Sequence, residues 1–202
     1  MFLIDRSYRE IKISNKKGRG VFAKKLITAG NVIGDYVGKL IRLEEMDFEK
    51  EKENLYLMNY RDEIGIYPDL TKDGVHLLNH SCSPNCFIYK YKMHTLVFAL
   101  RDIEKREELT ISYLLPPKKY CHPCPHKCFC KSEVCTGSMH LSEKDYKIWQ
   151  KFQEINFKIT EGSILSFKDR LKPLAKYPKS IPESYITKLD DLKLYVVKPS
   201  LP

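Results

Sequence analysis

Residues 79–86 read Asn79-His80-Ser81-Cys82-Ser83-Pro84-Asn85-Cys86. This stretch offers polar side chains and thiols in a tight, proline-broken turn rather than in a regular helix or strand. Further along stands Cys128-Phe129-Cys130, with Cys135 five residues later. Three thiols at that spacing close only around a metal or a disulfide, and a structural zinc site needs four ligands.

The flanking sequence is rich in strands. Ile11-Lys12-Ile13-Ser14 alternates, Lys17-Gly18-Arg19-Gly20 turns, and Val21-Phe22-Ala23 resumes the extended pattern. Thr28-Ala29-Gly30 predicts another turn before Val32-Ile33-Gly34-Asp35-Tyr36-Val37-Gly38. Tyr91 through Leu100 and Leu109 through Tyr113 are further β-rich runs, the first centred on Thr95-Leu96-Val97-Phe98-Ala99. Residues 43–57 differ. Good helix formers without Gly or Pro predict a short acidic helix carrying Glu44, Glu45, Asp47, Glu49, Glu51 and Glu53. After Pro116-Pro117 and the cysteine-rich stretch, Ser142-Glu143-Lys144-Asp145 resembles a capping box. It would open a helix with Tyr146, Trp149, Phe152 and Ile155 on one face. No internal repeat or low-complexity run is present.

Composition narrows the class. Of 202 residues, 43% are hydrophobic, enough for a core, and 30% are charged, which points to a soluble protein. No apolar run approaches the roughly 18 residues that a membrane span requires. The opening Met1-Phe2-Leu3-Ile4-Asp5-Arg6 is too short an apolar stretch for a secretory signal. The expectation is an intracellular protein with reduced thiols, cytoplasmic, or nuclear and chromatin-bound if eukaryotic or host-directed. Seven cysteines in that setting favour metal over disulfides. The +9 net charge is uneven: residues 116–202 hold 16 Lys+Arg against 9 Asp+Glu, a net of +7. Contact with nucleic acid through this basic tail is open, but no nucleic-acid-reading signature accompanies it, and a solvated surface is the expected reading.

Taken in order, four motifs resemble those of SET-domain protein-lysine methyltransferases. Lys17-Gly18-Arg19-Gly20-Val21-Phe22-Ala23 is similar to that family's first cofactor loop, and Asp35-Tyr36-Val37-Gly38 to the strand after it. Gly74 through Cys86 resembles the core signature, and Glu108-Leu109-Thr110-Ile111-Ser112-Tyr113 the closing motif. Cys128-x-Cys130-x4-Cys135-Thr136-Gly137 is similar to the post-SET zinc module. The resemblance covers roughly residues 5–140. It implies a mainly β fold of small curved sheets with a pseudoknot where the 79–86 turn meets 108–113, plus a C-terminal helical extension. The implied organisation is a SET domain over 5–115 with a variable helical insert at 43–57, a post-SET segment over 116–140, and an extension over 141–202.

The resemblance also implies an activity: methyl transfer from S-adenosylmethionine to the ε-amine of a lysine in a protein, a histone or another lysine-rich substrate. Lys17, Gly18, Arg19, Gly20, Asn79 and His80 then match cofactor contacts, with His76, Tyr113 and Phe129 added to that group. Tyr113 matches the catalytic tyrosine, and Tyr56 a second tyrosine of the lysine channel. Cys82 would join Cys128, Cys130 and Cys135 as the fourth zinc ligand. Aliphatic Ile111 and Ile88 occupy places where relatives often limit methylation with a tyrosine, so higher methylation states are expected. The alternatives are a catalytically silent SET-like module that binds a protein tail, and a basic zinc module that binds nucleic acid. Cys121-His122-Pro123-Cys124 with His126 departs from the family pattern. These residues could form a second site, replace a ligand or stay free, and free or packing roles are expected. Cys86 is expected to be buried as a small hydrophobe.

Overall fold

The computed structural model describes residues 1–14, 17–47, 55–61, 63–91, 94–148 and 150. Ten strands run in order: β1 (Arg9–Ser14), β2 (Gly18–Ala23), β3 (Val32–Asp35), β4 (Lys39–Arg42), β5 (Met58–Arg61), β6 (Ile64–Tyr67), β7 (Asn79–His80), β8 (Cys86–Tyr91), β9 (His94–Ala99) and β10 (Glu108–Ile111). Among the described residues they form three small sheets, ordered β1-β2-β10-β7, β3-β9-β8 and β4-β6-β5. This is the mainly β architecture expected from the sequence. No helix of the described residues is long and apolar enough to cross a membrane.

The first sheet positions the site. β1 and β2 form an antiparallel hairpin, with Ile11 opposite Val21 and Ser14 opposite Gly18. Gly18 takes φ +70°, which a residue with a Cβ adopts only at a penalty. β10 then pairs antiparallel with β2 through Glu108↔Phe22 and Leu109↔Val21. On its other side β10 runs parallel to β7, with Thr110 opposite Asn79 and Ile111 opposite His80. Asn79 and His80, expected in irregular backbone, are therefore a two-residue strand.

Asn85 locks this crossing. Its Nδ2 donates to the Glu108 carbonyl at 2.8 Å and to Glu107 Oε1 at 3.0 Å. Its Oδ1 accepts the Thr110 backbone N–H at 2.8 Å. With the Ser81 N–H donating to the Ile111 carbonyl at 2.9 Å, the 79–86 turn is fastened along the 108–113 segment. The apolar faces close behind it: Val21, Ile33, Leu78, Val97, Ile103 and Leu109 are all essentially solvent-free. Cys86 is fully buried in this core, as expected.

The acidic helix expected over 43–57 is not continuous. Leu43–Glu45 form one 3-10 turn, and Met46, at its end, is already extended. Residues 55–57 are irregular, with Leu55 at φ +49° before β5 begins. Helix propensity here yields to strand pairing on both sides, since Leu40↔Ile66 and Met58↔Ile66 both anchor to β6. Glu49, Glu51 and Glu53 lie outside the described residues. The capping box is present: Ser142 Oγ accepts the Asp145 N–H at 3.1 Å, and a helix runs over 143–148. Trp149, Phe152 and Ile155 lie outside the described residues.

Candidate active site and metal centre

Glycines, an amide and a carboxylate make the first wall of the site. A Cβ on Gly20 would lie 2.8 Å from both Asn79 Nδ2 and Glu108 Oε1, so only glycine lets β2 pass this close. Asn79 Nδ2 donates to Glu108 Oε1 at 2.8 Å and to the Arg19 carbonyl at 3.2 Å. Glu108 Oε2 pairs with Lys17 Nζ at 2.7 Å. Lys17, Gly18, Arg19, Gly20 and Asn79 are thus brought together. Glu108, which sequence reasoning left without a role, ties them.

Aromatic rings make the second wall. Tyr113 lies just past β10, and its hydroxyl donates to the Leu78 carbonyl at 3.3 Å. Its ring meets His80 edge-on, with centroids 5.4 Å apart. Burial, and then the neighbouring Tyr56, push the Tyr113 hydroxyl well above the usual phenol range, so it keeps its proton. Tyr36 is shifted the same way, again chiefly by burial, with Tyr113, Tyr56 and Tyr67 nearby. Tyr36 donates its hydroxyl to the Tyr56 carbonyl. His76 meets both rings edge-on, at 6.5 Å from Tyr36 and 6.0 Å from Tyr56. Burial holds His76 below the usual imidazole range, and its Nε2 is buried with no hydrogen-bond partner. In sequence Tyr36 stands in the Asp35–Gly38 motif with no role assigned to it. Its signal was a tyrosine directly after the buried strand residue Asp35.

Four thiols gather beside this wall. The ligand atoms of Cys82, Cys128, Cys130 and Cys135 all lie within 4.8 Å of one another, and Cys82 Sγ is 3.7 Å from Cys128 Sγ. Tetrahedral zinc with bonds of about 2.3 Å sets thiolates roughly 3.8 Å apart, so this group fits that ion. Backbone N–H groups support the sulfurs: Cys82 N donates to Cys130 Sγ at 3.5 Å and Gly137 N to Cys135 Sγ at 3.4 Å. Burial opposes ionisation of Cys130, but hydrogen bonds from Ser132 and the Cys82 N–H outweigh it and bring the thiol down to about 5. Phe129, expected over the cofactor, is 44% exposed beside the thiols.

The upstream cysteines, expected to be free or to pack, carry no disulfide and lie in a cluster. Cys121, Cys124 and His126 converge with His140, which the sequence reading passed over. Exposed His122 is outside this group.

The family profile described as SET domain matches residues 18–114. Those residues are a SET domain. The chain is 34% identical over 141 residues to the histone-lysine N-methyltransferase TRX1 of Oryza sativa subsp. japonica, covering 63% of this chain and 13% of that one. It is 36% identical over 151 residues to the variant-silencing SET domain-containing protein of Plasmodium falciparum, covering 67% and 6%. The chain therefore spans a small part of the length of these relatives. Among solved structures, KRYPTONITE in complex with mCHH DNA, H3(1-15) peptide and SAH matches with a TM-score of 0.54 at 24% identity, over 65% of this chain and 29% of that one. The matched region takes in every strand from β2 to β10, so Asn79, His80 and Tyr113 all belong to the SET domain.

Proposed function

We propose that this SET domain transfers a methyl group from S-adenosylmethionine to the ε-amine of a lysine in a protein substrate, with histones and other lysine-rich proteins as the substrate class. One observation carries the reading: the Tyr113 hydroxyl, protonated and partly buried, meets the Leu78 carbonyl directly beside the Asn79–His80 strand. The names of the relatives and the SAH in the KRYPTONITE complex support it.

S-adenosylmethionine supplies an electrophilic methyl on a sulfonium. In this reading Gly18 to Gly20 present backbone to it without Cβ interference, and Asn79 and His80 grip its polar ends. The unpartnered His76 Nε2 is a further polar contact. Tyr36, Tyr56 and Tyr113 line the lysine's approach. A lysine must lose its proton to attack, against an ordinary pKa of about 10.4. Burial among rings disfavours the ammonium form, so no histidine base is required. Rate then rests on alignment of amine, methyl and sulfur, with the Tyr113 hydroxyl and Leu78 carbonyl as fixed dipoles facing the developing charge. Cys82, Cys128, Cys130 and Cys135 would hold a structural zinc that secures the residues after Tyr113. Ile111, nearly fully buried, and half-buried Ile88 offer no hydroxyl to restrain a methylated amine. Products beyond monomethyl-lysine follow, and intact mass after long reactions checks this.

The deciding experiment incubates the protein with labelled S-adenosylmethionine and fractionated cell protein, then maps modified lysines. Tyr113→Phe is expected to lower transfer by roughly 10²–10³-fold while leaving cofactor binding measurable by calorimetry. Absence of cofactor binding in the unmodified protein would instead favour a silent module.

A further inference from the structure

Cys121 Sγ lies 3.5 Å from His126 Nδ1, Cys124 Sγ lies 3.3 Å from His140 Nε2, and the two imidazole nitrogens are 3.0 Å apart. All four ligand atoms fall within 4.8 Å of one another. A tetrahedral zinc, bonded at about 2.3 Å to sulfur and about 2.0 Å to nitrogen, separates mixed pairs by roughly 3.6 Å and nitrogen pairs by roughly 3.3 Å. The three pairs at 3.5, 3.3 and 3.0 Å are already at those spacings to within a few tenths of an ångström.

Orientation points the same way. His140 Nδ1 faces the Pro116 carbonyl, which can only accept, so the imidazole proton sits on Nδ1 and Nε2 presents its lone pair inward. An outer carbonyl that fixes the tautomer is the usual support of a metal-bound histidine. Hydrogen bonding alone serves the cluster poorly. With the Cys121 and Cys124 thiols donating to the two rings, the lone pairs of His126 Nδ1 and His140 Nε2 would face each other at 3.0 Å. One cation satisfies every inward lone pair at once. His126 is buried and the other three residues are half-buried, so bulk water is largely excluded.

We propose that Cys121 Sγ, Cys124 Sγ, His126 Nδ1 and His140 Nε2 bind a second structural zinc ion. Four protein ligands close the coordination shell and leave no position for a substrate. Its place in the fold gives it a task. His140 forms a parallel bridge with Leu115, and the Leu141 N–H donates to the Leu115 carbonyl at 3.0 Å. The ion therefore pins the chain two residues beyond Tyr113. The same residues border a short ribbon, closed by the Lys127↔Ser138 bridge, whose other end carries Cys128 of the four-cysteine group.

Elemental analysis of the purified full chain tests this, because it reads metal and not turnover. Two zinc ions per chain are expected in the unmodified protein. One is expected in Cys124→Ser and one in Cys135→Ser, while His140→Cys, which keeps a ligand, retains two. Should Cys124→Ser fail to fold, cobalt substitution of the unmodified protein decides. Two spectrally distinct ions are expected, one with four thiolates and one with two. A single ion per chain, or a Cys121–Cys124 disulfide in protein prepared under reducing conditions, overturns the proposal. A failure of methyl transfer would leave these metal counts unchanged.

Discussion

The backbone N–H of Tyr113 donates to Nδ1 of His80 at 3.2 Å, across 33 residues of chain. Because Nδ1 accepts, the neutral ring carries its proton on Nε2, which faces Cys82 Sγ at 3.6 Å. One imidazole thus links the proposed catalytic tyrosine to a proposed zinc ligand. His80→Ala is expected to weaken metal binding at the four-cysteine group by about 10–100-fold and to lower turnover together with it. Competition with a chelator of known affinity measures the first effect. An unchanged metal affinity would confine His80 to the cofactor.

Gly20→Ala should separate the site from the fold. The added methyl would meet Asn79 Nδ2 and Glu108 Oε1 at 2.8 Å, forcing apart the bond between them. Loss of stability of about 1–3 kcal/mol is expected from such overpacking. Cofactor affinity should fall at least tenfold, read by calorimetric titration. Gly18→Ala has open space around its Cβ and fails only through its positive φ. It should therefore lose about 1–2 kcal/mol with a smaller effect on binding.

Asn85 is the structural counterpart of Asn79. Its carboxamide joins Glu107, Glu108 and Thr110, and it is buried. Asn85→Ala strands a buried Thr110 N–H and the Glu108 carbonyl, for an expected loss of roughly 2–4 kcal/mol in denaturant unfolding. Asn85→Asp should also destabilise, since its carboxylate would face Glu107 Oε1 without a donor.

Glu107 sets an acid limit on stability. Burial alone would raise its pKa, but hydrogen bonds from Arg101, Asn85 and the Glu104 N–H more than offset that, and the folded value lies below the usual 4.5. Arg101 Nη1 contacts Glu107 Oε2 at 3.1 Å. A depressed carboxylate stabilises the fold above the unfolded pKa, and this contribution fades as pH falls through the folded value. Unfolding free energy should therefore decline below about pH 4.5 in the unmodified protein. Glu107→Gln should flatten that decline and lose on the order of 1 kcal/mol at neutral pH, the pair being partly exposed.

Much of this was legible from local chemistry. Gly18 and Gly20, the 79–86 turn and the run ending in Tyr113 each announce a backbone or polar requirement within a few residues. What stayed hidden depends on long-range contact. Glu108 looks like an ordinary strand-start carboxylate until folding sets Lys17 and Asn79 against its two oxygens. His140 stands 14 residues from His126, a spacing that points to nothing until the ribbon folds back. The 43–57 stretch misled because its composition favours a helix, while pairing of β4 and β5 with β6 takes both its flanks.

The ribbon between the two cysteine-bearing clusters is short, and each cluster draws on both of its strands. An ion captured at either end fastens the two strands together and so restricts the wandering of ligands destined for the other end. The loss of freedom is met once and benefits both captures. Filling should consequently be mutually reinforcing: half-loaded molecules stay scarce, and scarcity of metal divides the population into complete and empty forms.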